Sequence, residues 1–305
     1  PDHHRATCLV HKVYRKASYR NVQRDLERFA AEGRIRFAPN HNSMCSYGGD
    51  PNVTELLREI LTLTASPTRR VEREFIVDST GFHAAGVENW RYTKGTRQLR
   101  KKKKGDQKAY AALEWMRAHI MSGRRTGIIP AARITLNHGK GSADSVNLPM
   151  LIDDMLGIHT IHAIIGDRGY ISENNLIKIL KLVGAWAFIK PKRNFKASTK
   201  RRLGVDLATW YRDFHKDHGP AFKEMYRFRP LVEAVFSAIK RRFGDFMWLK
   251  NDVQRENELL CKLICHNICI LIQLELQYGV RLDYDTDPAF GVDPNTPAAP
   301  SLLAA

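Results

Sequence analysis

The sequence predicts an α/β protein: a mixed sheet flanked by helices and preceded by a mainly helical N-terminal segment. Three observations carry that prediction. Between residues 72 and 191, short β-branched apolar runs alternate with helical stretches in the order β-β-β-α-β-α-β, which suits a sheet with helices on its faces. Residues 1–70 and 230–277 instead place apolar side chains at helical spacing. The 305-residue chain is 43% hydrophobic and 27% charged, enough apolar content to bury a core and unlike a disordered chain.

In order along the chain, "YRNVQRDLERFAAEGRI" is amphipathic, with Val22, Leu26 and Phe29 on one face and Gly33 as a stop. "DPNVTELLREILTLTA" follows as a helix capped by Asp50 or Asn52. The run Phe75-Ile76-Val77 reads as a buried strand that ends in Asp78. "WMRAHIMSG" (115–123) and "IIPAARITLNHG" (128–139) read as a hairpin pair, and 145–156 as a helix. "HAIIGDRGY" (162–170) is a second buried strand running into a Gly-rich turn. Residues 172–184 are a helix capped by Ser172 and closed by Gly184, and 185–191 another strand. Residues 193–222 are basic and carry no clear pattern. Residues 230–244 form a helix with Pro230 in its first turn. Its apolar face reads as Leu231, Val235 and Ile239, with Phe236 and Phe243 beside it. Residues 256–277 read as a long apolar core helix.

The chain carries 49 Lys and Arg against 32 Asp and Glu, a net charge of +17. Such a surface draws polyanions, nucleic acid above all. No membrane anchor is evident. Part of the charge sits in "RYTKGTRQLRKKKKGDQK" (91–108), a loop with almost no apolar content that would bring phosphates close. The five cysteines are odd in number, and Cys261, Cys265 and Cys269 repeat along one apolar helix, which favours reduced thiols over disulfides. His3, His4, Cys8 and His11 fit no established zinc spacing. The chain begins at Pro1, with no signal peptide, and we expect residues ahead of it.

The chemistry is carried by carboxylates. Asp78 and Asp167 each end a buried apolar strand, where an unpaired charge is costly unless the strand opens onto a site that uses it. Asp144, Asp153 and Asp154 lie before or in a helix, where capping and solvation explain them. Glu233 shares a helix face with Ser237 and Lys240, and both charged groups can point into one anionic cleft, the Glu to metal and the Lys to phosphate. Three hard oxygen ligands suit Mg²⁺ or Mn²⁺, and a pair of such ions suits in-line phosphoryl transfer on a nucleic-acid phosphodiester.

These residues resemble those of DDE transposases of bacterial and archaeal insertion sequences. Tyr226-x2-Arg229-x3-Glu233-x6-Lys240 matches the Y-R-E-K signature of one large group in full, and "VDSTGF" and "GDRGY" match the surroundings of that family's first and second acids. "EWMRAHIMSGRRTGIIPAARIT" resembles its Trp-x-Lys-x-His segment, with Arg117 where Lys is usual and Trp115 and His119 in place. The resemblance covers about residues 20–278. It implies a ribonuclease-H-like core, with a second inter-acid gap too short for the large β-rich insertion of some members. It implies that Asp78, Asp167 and Glu233 hold Mg²⁺, with Mn²⁺ substituting. It further implies that Tyr226, Arg229, Lys240, Trp115 and His119 contact DNA.

The reaction implied is hydrolysis at transposon ends followed by attack of the freed 3′-OH on target DNA, with water the first nucleophile and the DNA hydroxyl the second. The implied partners are double-stranded DNA, as terminal inverted repeats and target, and a second copy of the chain on that DNA. The implied location is the cytoplasm of a bacterium or archaeon, at the nucleoid. The expected organisation is a helical segment 1–70, either a DNA-end-binding module or an adaptor packed on the main domain. A catalytic domain 71–280 and a disordered tail 281–305 follow. The alternatives are a nuclease of the same fold without strand transfer and an inactive DNA-binding remnant.

Overall fold

A computed structural model describes residues 2–84, 115–136, 140–192, 207–249 and 251–284. The expected charged loop 91–108 lies outside them. The chain opens with helices α1 (Asp2–Tyr14), α2 (Gln23–Ala31), α3 (His41–Gly48) and α4 (Pro51–Ala65). Strands β1 (Glu74–Ala84), β2 (Trp115–Gly123) and β3 (Ala131–Leu136) follow, then α5 (Asp144–Met155) and β4 (Ala163–Gly166). Helix α6 (Glu173–Ile177) runs on into a π-helical turn (Lys178–Val183) before β5 (Trp186–Ile189). Helices α7 (Leu207–Asp217) and α8 (Gly219–Tyr226) occupy part of the basic stretch that carries no clear pattern in sequence. Helix α9 (Leu231–Phe243), a short strand β6 (Phe246–Met247) and the long α10 (Asp252–Leu276) complete the order.

Local chemistry explains the boundaries. Asp50, not Asn52, caps α4, its carboxylate accepting the Asn52 N–H at 2.9 Å. The Ser172 hydroxyl accepts the Asn175 N–H at the start of α6, and Gly184 closes it in the left-handed conformation, φ 74°. The hairpin pair forms as expected, with its second strand shortened to Ala131–Leu136.

The sheet is mixed, in the order β3-β2-β1-β4-β5, with β6 beside the far end of β1. Strands β1, β2 and β3 form an antiparallel meander, while β4, β5 and β6 extend it by parallel pairing. With helices on both faces, this is the ribonuclease-H-like arrangement expected from the sequence. One correction concerns β1, which does not end at Asp78 but runs six residues further, to Ala84. Its antiparallel partner β2 stays paired as far as His83, whereas the parallel β4 stops where Gly166 meets Val77. Asp78 is therefore the point on β1 where the parallel neighbour gives out.

Side chains alternate between the two faces. Ile76 and Phe82 of β1 join one core with β2's Met116, Ala118 and Ile120 and with helices α1–α4, α9 and α10. Phe75 and Val77 join the other, beneath α5, α6, α7 and α8. The stripe of α9 that enters the first core is Val232, Phe236, Ile239 and Phe243. This corrects the expected face: Leu231 is 44% exposed, because the helix is rotated by about one residue from the periodicity read in sequence.

The N-terminal helices pack into the same core as the sheet and α10. Asn267 of α10, fully buried, accepts the Ile129 N–H and donates to the Leu61 and Ile129 carbonyls, tying α10 to α4 and to the entry of β3. Helix α10 is long and apolar enough to cross a membrane, but residues 257–267 are buried inside the protein, as a core helix requires. Cys8, Cys261 and Cys265 are free and buried, and burial pushes the Cys8 thiol up to about 11 and the Cys265 thiol up to about 12. His11 pairs with Asp25, and His4 packs against Phe37. The tail expected to be disordered from 281 begins docked. Leu282 is buried and Asp283 pairs with Arg69 and Arg70; residues 285–305 lie outside the described part.

His159, buried beside Phe75, makes the fold acid-sensitive. Burial lowers its pKa from 6.5 to about 4. The folded state thus resists a proton that the unfolded chain accepts, and stability present above pH 6.5 is lost as pH falls toward 4. At 1.36 kcal/mol per pKa unit, the contribution is about 3 kcal/mol. His159→Gln is expected to flatten the drop in melting temperature between pH 7 and pH 5; an unchanged drop would assign it to other groups.

Candidate active site

Strand alternation separates two neighbours in sequence. Asp78 shares its face with Ile76 and looks toward α9, while Ser79 looks toward α5. Since Val77 lies opposite Gly166 in parallel register, Asp78 and Asp167 take the next positions on adjacent chains, where strands lie about 4.8 Å apart.

Across from Asp78, the chain turns between α8 and α9, and this turn carries Arg229. Its guanidinium donates to Asp78 Oδ2 at 2.8 Å and to Glu233 Oε1 at 2.5 Å. One cation thus joins a strand acid to a helix acid. Asp78 has 13% of its side chain exposed against 59% for Glu233, so the Asp78 pair is the stronger of the two. Burial raises the Asp78 pKa, with Asp167 and Asp144 adding to the rise; the Ser79 backbone N–H and Arg229 oppose it. The carboxylate is held in a place that disfavours its charge, and Arg229 supplies the compensating cation.

An open cleft of about 670 Å³ is lined by Asp78, Thr80, Arg229, Glu233, Ser237 and Lys240 among others. Glu233, Ser237 and Lys240 do share the cleft-facing side of α9. Lys240 Nζ donates to Thr80 Oγ1 at 2.9 Å and to the Gly81 carbonyl at 2.8 Å, which occupies two of its three donors. Burial lowers its pKa. Asp167 is not in that lining; its carboxylate accepts the Gly169 N–H. Tyr226 stands near both aspartates, with Lys190 Nζ 4.1 Å over its ring. Its pKa is raised, by burial first, with Asp167 and Asp78 also raising it against Arg229. Among the described residues, no three His, Cys, Asp or Glu side chains converge as a metal-binding group; Arg229 lies between Asp78 and Glu233.

Two residues expected to touch DNA, His119 and Trp115, lie on the sheet face opposite Asp78. His119 is fully buried on the α5 face of β2, with Nδ1 3.4 Å from Asp144 and Nε2 3.3 Å from Thr135 Oγ1. Its position on β2 encloses its side chain within the protein. Trp115 lies on that same face, its ring 3.6 Å from His83 between centroids and laid over Gly81. A Cβ at Gly81 would collide with that ring. Trp115 is only partly buried, but it sits on the sheet face opposite Glu233.

Asp144 was expected to be a solvated or capping carboxylate and is neither. It lies half-buried in the first turn of α5, paired to Arg117 at 3.0 Å and accepting the Ser79 hydroxyl at 3.0 Å. Burial pushes its pKa up, but His119, Arg117 and Ser79 outweigh that and hold it below the usual carboxylate value. The sequence signal for this group was faint: polar residues at strand positions whose face is otherwise apolar.

A match to the transposase DDE domain family covers residues 69–268. No curated protein matches the chain.

Proposed function

The chain belongs to the transposase DDE domain family, and on that premise we propose that it cuts the ends of an insertion sequence and joins the freed 3′-OH to target DNA. The observation that carries the reading is the Asp78–Arg229–Glu233 bridge, in one cleft with Lys240 and beside Asp167. In this reading Asp78, Asp167 and Glu233 hold divalent ions. The donor set fits in its chemistry: all are hard carboxylate oxygens, and Asp78 on β1 stands beside Asp167, the first residue past the end of the adjacent β4. When bound, Mg²⁺, or Mn²⁺ in its place, stabilises charge on the attacking and leaving oxygens of a phosphodiester.

The chain's own groups do the rest. Arg229 can present its two-pronged donor to a phosphate. Lys240 keeps one donor for a second phosphate oxygen while Thr80 and Gly81 hold its ammonium in place. Tyr226 borders the same acids. The net charge of +17 gathers duplex DNA, as inverted repeat and as target. Helices α1–α4 are proposed to contribute to end binding. Joining two ends calls for two copies of the chain on the DNA, and the proposed setting is the nucleoid of a bacterial or archaeal cytoplasm.

The test is a Mg²⁺-dependent assay on labelled duplexes bearing the inverted repeats that flank the gene. Cleavage at the repeat boundary with joining to a second duplex is the expected result. Cleavage without joining would make the chain a nuclease, and binding without cleavage a remnant. Lys240→Ala is expected to reduce end cleavage about ten- to a hundredfold, the worth of a hydrogen bond to a charged group. The melting temperature should move little. Equal losses of cleavage and stability would make Lys240 structural.

A further inference from the structure

Behind the cleft a polar network joins Arg117, Ser79, Asp144 and His119. On the α5 face of the sheet, Arg117 Nε donates to Ser79 Oγ at 3.0 Å, and Ser79 Oγ donates to Asp144 Oδ1 at 3.0 Å. Arg117 also reaches Asp144 directly, at 3.0 Å from Oδ1 and 3.3 Å from Oδ2. His119 completes the set. Asn147 Nδ2 is already directed at the Gly141 and Ala143 carbonyls, 2.9 Å from each. The Thr135 hydroxyl is therefore the natural donor to His119 Nε2. That tautomer leaves the His119 proton on Nδ1, the atom facing Asp144.

Asp144 touches both acid-bearing segments. Toward the first, it holds Ser79, whose backbone N–H donates to Asp78 Oδ1 at 2.9 Å. Toward the second, it crowds Gly169: a Cβ there would stand 2.5 Å from Asp144 Oδ2 and 3.1 Å from Asp167 Oδ1. Gly169 in turn donates its N–H to Asp167. Only a residue without a side chain lets the two carboxylates approach the same backbone position. The buried Tyr170 ring adds a wall next to Ser79 and Asp144.

We infer that Asp144 is a positioning residue that fixes Asp78 and Asp167 relative to one another, through Ser79 on one side and the Gly169 turn on the other, with Arg117 and His119 holding its charge and orientation. The inference rests on the reading of Asp78 and Asp167 as ion-holding residues. It gives a use to Ser79, directly after the first acid, and to Gly169, two residues after the second: they are the handles by which one carboxylate aligns two others. Partners that orient ligating carboxylates are typically worth ten- to a hundredfold in metal affinity.

The experiment is Mn²⁺ titration of the full chain without DNA, read by loss of the free-ion electron paramagnetic resonance signal, alongside thermal melting of each variant. Wild type is expected to bind and Asp78→Asn to lose that binding. Asp144→Asn and Ser79→Ala are expected to weaken it about tenfold or more, and the double variant to be no weaker than the worse single, because both break one linkage. Arg117→Lys, which keeps the cation, is expected to retain binding where Arg117→Met does not. Should Asp144→Asn fail to fold, Ser79→Ala decides, since it removes one hydroxyl and leaves the backbone N–H to Asp78. Folded Asp144→Asn or Ser79→Ala with wild-type affinity, or additive losses in the double variant, would overturn the positioning role and leave the ion site standing. Equal binding by Asp78→Asn and wild type would overturn the ion site itself and the positioning role with it.

Discussion

Asp78→Asn, Asp167→Asn and Glu233→Gln are each expected to lower Mg²⁺-dependent strand cutting at least about a thousandfold, which is about 4 kcal/mol of transition-state stabilisation, while DNA binding stays within a few-fold. Each change preserves shape and removes one negative charge, so what it tests is ion holding and not packing. Binding survives because it draws on the basic surface as a whole. The effect on stability should be opposite in sign for the most buried acid. Burial already pushes the Asp78 pKa upward, so its charge is held at a cost, and Asn removes that cost. Arg229 remains paired with Glu233, and no buried cation is stranded. A melting temperature equal to or above wild type, together with lost cutting, would mark Asp78 as a residue kept for chemistry. A parallel loss of melting temperature and cutting would mark it as a structural ion-pair partner, and retained cutting in any of the three variants would remove that residue from the site.

Much of this site is legible in the sequence because strands announce themselves by apolar runs and an aspartate interrupts such a run visibly. Asp78 and Asp167 stand out for that reason, and Glu233, Ser237 and Lys240 by helical spacing. What was not legible followed from pairing across the sheet. The extension of β1 past Asp78 depends on β2, not on β1's own residues. The burial of His119 and the partnership of Asp144 with Ser79 and Arg117 depend on which sheet face each residue takes. A face is assigned only once the register and the covering helix are known. The rotation of α9, which buries Val232 and exposes Leu231, has the same origin, since Leu231, Val232 and Val235 offer nearly equivalent apolar stripes.

Arg229→Ala is expected to move two quantities in opposite directions. Strand cutting should fall about a hundredfold or more, because a bidentate charge-assisted donor to phosphate is lost. Mn²⁺ binding to the DNA-free chain should tighten. In the free protein the guanidinium engages Asp78 and Glu233 at once, so it competes for the oxygens that an ion would take, and any ion must first displace it. The alanine also removes the cation that opposes burial at Asp78, so the Asp78 carboxyl should titrate at higher pH in the variant. The tightening is therefore followed across a pH series, so that this upward shift is separated from the removal of the competing guanidinium. Arg229→Lys is expected to fall between the two, since an ammonium keeps the charge but lacks the planar fork that spans two carboxylates. The opposite result, weaker Mn²⁺ binding in Arg229→Ala, would mean that the arginine braces the acids into place and does not compete for them. The two cases imply different orders of events. A competing arginine leaves the acids as ion and DNA arrive and takes up a phosphate, so ion loading and DNA gripping become one coupled step. A bracing arginine stays, and the phosphate must find its cation in Lys240.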